Sequence, residues 1–334
     1  MRSFRLFLIL IIAATARSPS ASFAADDDPA REPVSLAWFP RFSPDGKWLI
    51  TAHGNWEQGK AGEVRVWEAA TGKPRFVIPS DRGVRSVGWS PKGKFFASGG
   101  YGNVVRLYDS ETGKQFDEIK FPGTVEVLQI TPDEKRLVTA HGGGAVRVTE
   151  LASKKRLQSW DQVHAGGIWG AALSPNGKTL ATAGRDGFVR IFDLGGSRIL
   201  HELKHPADTN GVAFTHDGKF LCTGCGDSKI RIFDAAQGTE LRTLVGHEEG
   251  SVTDMQFSMD DKLLATCGMD RTVRLWDMTD FERPTLTATL NAHDGLVFGV
   301  AISPKGEWLA SAGWDDRVKM WDRATRKEIW SWQP

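Results

Sequence analysis

What this chain holds little of narrows its chemistry first. Its 42 basic and 41 acidic side chains leave a formal charge of +1, so no global field draws it to nucleic acid or to an anionic surface. Three cysteines, Cys222, Cys225 and Cys267, cannot all pair with one another, which leaves at least one thiol free or joined between molecules. The spacing of Cys222-Thr223-Gly224-Cys225 matches a redox or metal motif, yet it falls inside an expected strand, where positions i and i+3 point to opposite faces. Gly226 stands where covalent haem attachment needs His. There is no motif for nucleophilic catalysis, phosphate cradling or a metalloenzyme. Gly142-Gly143-Gly144 reads as a turn between strands, since no helix follows to supply a dipole. No cofactor and no metal is expected.

The one long apolar run lies at the start. Basic Met1-Arg2-Ser3-Phe4-Arg5 is followed by apolar 6–14 and by small residues ending Ser22-Phe23-Ala24-Ala25. This is the pattern of a secretory signal peptide at residues 1–25, with cleavage expected near Ala24 or Ala25. The alternative, an uncleaved anchor, is opposed by the shortness of the run and the acidic Asp26-Asp27-Asp28 behind it. The expectation is an exported protein, periplasmic or extracellular, with no stable membrane insertion after cleavage. A flexible mature N-terminus would cover 26–33 and a single folded unit 34–334.

What is present is a repeat. Seven tight-turn segments begin at Ser43, Ser90, Thr131, Ser174, Thr215, Ser258 and Ser303. Seven closing pairs keep the same beat: Trp67-Glu68, Tyr108-Asp109, Thr149-Glu150, Phe192-Asp193, Phe233-Asp234, Trp276-Asp277 and Trp321-Asp322, at steps of 41 to 45 residues. Short alternating strands such as Trp48-Leu49-Ile50-Thr51-Ala52, set between Gly-rich turns at this period, predict an all-β protein: a seven-bladed β-propeller of four-stranded antiparallel blades. Such a ring is one domain, because its core lies between blades. The acidic residues Asp45, Asp217, Asp260 and Asp261 fall in the turns and read as turn formers.

The sequence resembles the WD40 repeat family over roughly residues 34 to 334, on runs such as Thr272-Val273-Arg274-Leu275-Trp276-Asp277 and Phe188-Val189-Arg190-Ile191-Phe192-Asp193. The resemblance implies a polar network in each blade. Repeat six would build it from His247, Thr266, Asp270 and Trp276, and repeat seven from His293, Ser311, Asp315 and Trp321. Repeat four offers His164, Thr182 and Asp186, and repeat five His205, Thr223 and Asp227, with Phe192 and Phe233 in place of the indole donor. Repeats one to three lack the His and Asp positions and are expected to rely on apolar stacking. Arg65, Arg106, Arg147, Arg190, Arg231, Arg274 and Lys319 share one repeat position and are expected to form a dispersed belt with heads in water, not a nucleic-acid groove.

Family members commonly meet partners on the top face, and there this sequence is unusual. From Thr51 to Trp67 it takes 16 residues where the other repeats take 10, which adds a polar loop around Trp56. Trp38, Trp56, Arg85, Tyr101, Trp169, Leu296, Phe298 and Trp314 occupy top-face slots, and those on blades seven, one and two are expected to converge into an aromatic partner-binding patch. The leading reading is therefore a non-catalytic scaffold for a protein or peptide partner. The competing reading is an enzyme or small-ligand or metal binder at the propeller mouth, using His53, His141 and Glu126.

Overall fold

The computed structural model describes residues 36–55 and 60–333. The expected leader, the tail at 26–33 and Trp56 lie outside those residues. The described chain folds as seven four-stranded antiparallel sheets, each a meander of strands consecutive in sequence. These blades cover 37–80, 84–120, 125–160, 168–204, 209–245, 252–291 and 297–332. The first strand of each blade packs against the first strands of its two neighbours, and that of blade one (Ala37–Phe42) meets that of blade seven (Val297–Ile302), which closes the ring. Among the described residues no strand is exchanged at the seam, and blade seven supplies its own outer strand, Glu328–Trp332.

The turn segments explain the period. In the first, Gly46 takes φ +72° and donates to Ser43 O at 2.8 Å, while Asp45 accepts from Ser43 Oγ and from Lys47 N. The left-handed position is Gly in five repeats but Glu134 and Asp261 in the other two. These two carboxylates reach the preceding blade: Glu134 accepts from Lys92 N at 2.8 Å, and Asp261 from His216 N and Nδ1. Asp261 therefore acts between blades and is not the self-bonded turn former read from the sequence.

Each second strand is buried along its whole length after its first residue, because both of its faces are covered by neighbouring blades. Seven apolar clusters result, one in each gap between blades. At the axis, the open edges of the first strands are satisfied by side chains. Asp254 accepts from Val300 N at 3.2 Å and pairs with Arg41 at 3.1 Å, so one carboxylate of blade six ties blades seven and one.

Candidate functional site

The polar residues of each blade are drawn together by hairpin register. The strand pair Leu263–Gly268 and Thr272–Asp277 sets Thr266 opposite Arg274. His247 lies against it, with Nε2 2.8 Å from Thr266 Oγ1 and Nδ1 2.9 Å from Asp270, while Trp276 Nε1 donates to the same hydroxyl at 3.0 Å. His293 repeats this with Ser311 and Asp315, both at 2.7 Å, and with Trp321 donating to Ser311 at 3.0 Å. In blade four His164 joins Thr182 and Asp186 at 2.8 Å each. Phe192 is wholly buried, and the chain of bonds ends at the threonine.

Blade five differs from the expectation. His205 bonds Thr223 at 2.9 Å but turns Nδ1 to Leu203 O at 3.0 Å, and Asp227 pairs with Arg231 instead. Blades one and three also differ, since they do not rely on apolar packing alone. Thr51 and Thr139 are met by His53 and His141 from two positions along the same strand, at 2.8 and 2.9 Å, and Trp67 Nε1 donates to Thr51 at 2.9 Å. An imidazole thus reaches the same hydroxyl by a shorter route. Both histidines are buried within blades, which removes them from the propeller-mouth chemistry considered above. Among the described residues no group of three or more His, Cys, Asp or Glu is placed to hold a metal ion. The three cysteines are buried free thiols.

The belt of third-strand cations is not solvated as expected. Arg147, Arg231 and Arg274 are buried. Arg190, Arg231 and Arg274 pair with the aspartate four residues before each, at 2.7, 2.6 and 3.2 Å. Arg147 pairs with Asp161, Arg65 pairs with Glu63 and stacks on Trp332 at 4.0 Å, and Lys319 meets Glu328 at 3.5 Å. These heads fasten the blades.

Burial sets the behaviour of three histidines. It holds His141, His164 and His205 below the ordinary imidazole range, against the pull of hydrogen bonds that favour the charged form. The unfolded chain takes up protons near pH 6.5 while the folded blades do not, so stability should fall as pH drops from 7.5 to 5.5. Urea midpoints across that interval test this. A flat profile would mean that these imidazoles protonate in the fold without loss.

The top-face residues separate into two depths. Trp38 and Phe298 are 3% and 8% exposed, and Arg85 is 3% exposed, so these three are interior and not the surface patch read from their slots. Trp38 donates to Gly54 O at 3.0 Å and packs on Phe298 at 4.5 Å. The first strand of blade one also bulges here: register shifts between Trp38 and Arg41, and Phe39 takes φ +29°. Pro40 beside it was the available signal, since proline inside a strand run marks a bulge. Around this kink, Arg85 stacks on Trp38 at 4.0 Å, lies 4.9 Å from Phe39 and pairs with Glu126 at 3.1 Å. Burial pushes the Glu126 carboxyl above its ordinary value, opposed by the charge and hydrogen bond of Arg85. Burial, with the Glu126 charge behind it, likewise pushes the Tyr101 phenol up.

Above this base stand half-buried side chains. Trp314 packs on Phe298 at 5.9 Å, Leu296 joins the same cluster, and Arg185 lies over Trp169 at 5.4 Å. Tyr101 is also half-buried. The arrangement is a rigid stack of rings and guanidinium groups with a partly exposed aromatic rim, suited to presenting a preformed surface.

The family model described as "WD domain, G-beta repeat" matches residues 72–109, 154–193, 197–234, 238–277 and 284–322. These segments end at five of the closing pairs. The unmatched repeats are the first, with its long loop, and the third, where Thr149 replaces the aromatic. The chain is 28% identical over 229 residues to "Target of rapamycin complex subunit wat1" of Schizosaccharomyces pombe, covering 65% of this chain and 72% of that one. It is 29% identical over 187 residues to "Protein hir1" of Emericella nidulans, covering 54% of this chain but 16% of that protein. It is 29% identical over 157 residues to "Eukaryotic translation initiation factor 3 subunit I" of Culex quinquefasciatus, covering 43% and 46%. It therefore spans only a small part of some of its relatives.

Proposed function

The chain belongs to the WD40 repeat family, and on that premise we propose that it is a non-catalytic scaffold, exported after removal of its leader, which binds a protein or peptide partner on the top of the ring. The observation that carries this reading is the half-buried rim of Tyr101, Trp169, Leu296 and Trp314 on a base of stacked rings and a guanidinium. The loop carrying Trp56 is part of the proposed surface. Relatives named as subunits of a complex and of an initiation factor support an assembly role. A prepaid, rigid surface loses little freedom on docking.

The test is capture of the partner from the exported fraction, followed by titration against variants. The intact mass should begin after Ala24 or Ala25. Trp314→Ala and Tyr101→Ala should each weaken binding by about 2 kcal/mol, as hot-spot rings do, with melting temperature little changed. Trp38→Ala and Phe298→Ala should lower affinity and stability together, because they form the base. Full affinity in both rim variants would move the working surface elsewhere.

A further inference from the structure

We infer that the mouth of the axial channel holds an anchor for one carboxylate, supplied by an aspartate or glutamate side chain of a bound peptide and received by Arg85. This rests on the partner-surface reading above and names the chemistry of its deepest point. Arg85 extends from blade two, lies over Trp38 and Phe39 of blade one, bonds Glu126 of blade three and comes within 5.9 Å of Trp169 of blade four. Residues of four blades surround it, so the guanidinium lies at the axis, buried beneath the half-buried rim. Its Nε is used by Glu126 Oε2 at 3.1 Å, but its buried Nη1 has no hydrogen-bond partner. Folded proteins seldom keep a charged donor in that state, and an entering acceptor relieves it.

The surroundings choose among ligands. A cation is disfavoured: one face of Trp38 is taken by Arg85, and Trp169 already has two guanidinium groups near its ring, Arg85 and Arg185. A phosphate dianion would face the Glu126 carboxylate across the same guanidinium. A monoanionic carboxylate satisfies Nη1 with the least repulsion. It would pass the half-buried rim of Tyr101 to reach the guanidinium.

The experiment uses the full chain and three probes: acetyl-Gly-Glu-Gly-amide, its Gln counterpart, and inorganic phosphate. Binding is read from the NMR shifts of the Trp38 Nε1–H and Arg85 Nε–H groups. The Glu peptide should shift both saturably and bind about tenfold or more tightly than the Gln peptide, with phosphate no tighter than the Glu peptide. Arg85→Gln alone would leave Glu126 buried and unpaired, so the decisive variant is Arg85→Gln with Glu126→Gln, which keeps an amide pair in the same space. It should lose the preference for Glu while keeping its melting temperature. If it too is unstable, Arg85→Lys serves: preference for Glu should persist at lower affinity. Equal binding of the two peptides, an unchanged preference in the double variant, no preference in Arg85→Lys, or tighter binding of phosphate would each overturn the anchor. Loss of the preference while rim variants still weaken partner capture would leave the partner surface standing; rim variants without effect, beside an intact preference, would overturn that surface instead.

Discussion

Trp67→Ala should destabilise the protein by about 4 kcal/mol, read as a lower denaturant midpoint. Trp67 is fully buried in the gap between blades one and seven, among Ala301, Ala310, Ala312, Val318 and Met320. Its ring packs 5.1 Å from Trp332 and 6.2 Å from Trp330, and its Nε1 donates to Thr51. The alanines across the gap are too short to fill the space left by an indole, so the cavity would persist. A loss under about 1 kcal/mol would mean that the site collapses and that the seam does not depend on this ring.

Asp270→Ala should cost about 3 to 5 kcal/mol, the range for removing one partner of a buried ion pair. The carboxylate serves Arg274, His247 and Thr272, at 3.2, 2.9 and 2.8 Å. Without it the Arg274 head is left in the interior, with Glu248 at 3.8 Å on the surface as its nearest remaining acid. Asp227→Ala should cost less, because Asp227 has no bond to His205 and is more exposed than Asp270, at 20% against 6%. Equal losses in the two variants would show that the histidine link adds nothing. The acid limb carries a second signature. Burial raises the Asp270 pKa, but the bonds and charge of His247 and the Thr272 contacts outweigh it and hold the group below the usual carboxylate range. Its contribution is therefore present above about pH 4 and is lost as pH falls further, so the variant should show a shallower loss on acidification there.

The ring was legible because its signals are local and repeated. Turn residues and the closing aromatics recur at a fixed period, and the alternation of Trp48–Ala52 or Phe95–Ser98 assigns strands without knowledge of the neighbours. Depth was less legible. A repeat slot says which face a side chain belongs to, and Trp38 and Trp314 share a face, but Phe298 and Arg85 pack over Trp38 while Trp314 stays half-buried. The cation belt failed for a related reason: an outward position was taken to mean water, although the Asp-to-Arg spacing of four in 186/190, 227/231 and 270/274 already placed a carboxylate beside each head. His53 and His141 show the limit of alignment by slot. The network survives with its imidazole drawn from another point on the chain, a substitution that only the distances to Thr51 and Thr139 reveal.

The seam where blade seven meets blade one has a kinetic meaning. Trp330 Nε1 donates to Ala69 O at 2.8 Å across 261 residues, and drawing two such distant points together costs about 5 kcal/mol of chain entropy by the logarithmic closure law. The other six gaps join blades that are neighbours along the chain, and their closure terms are smaller by about 1.5 kcal/mol. Blade-by-blade growth can therefore proceed with local contacts, while the last gap must wait for the whole arc to form. The paired tryptophans of the outermost strand act as the clasp on that arc, and the open arc is the natural first step of its undoing. A chain re-joined across this gap and cut between two other blades would hold the clasp covalently and transfer the entropic burden to the new opening.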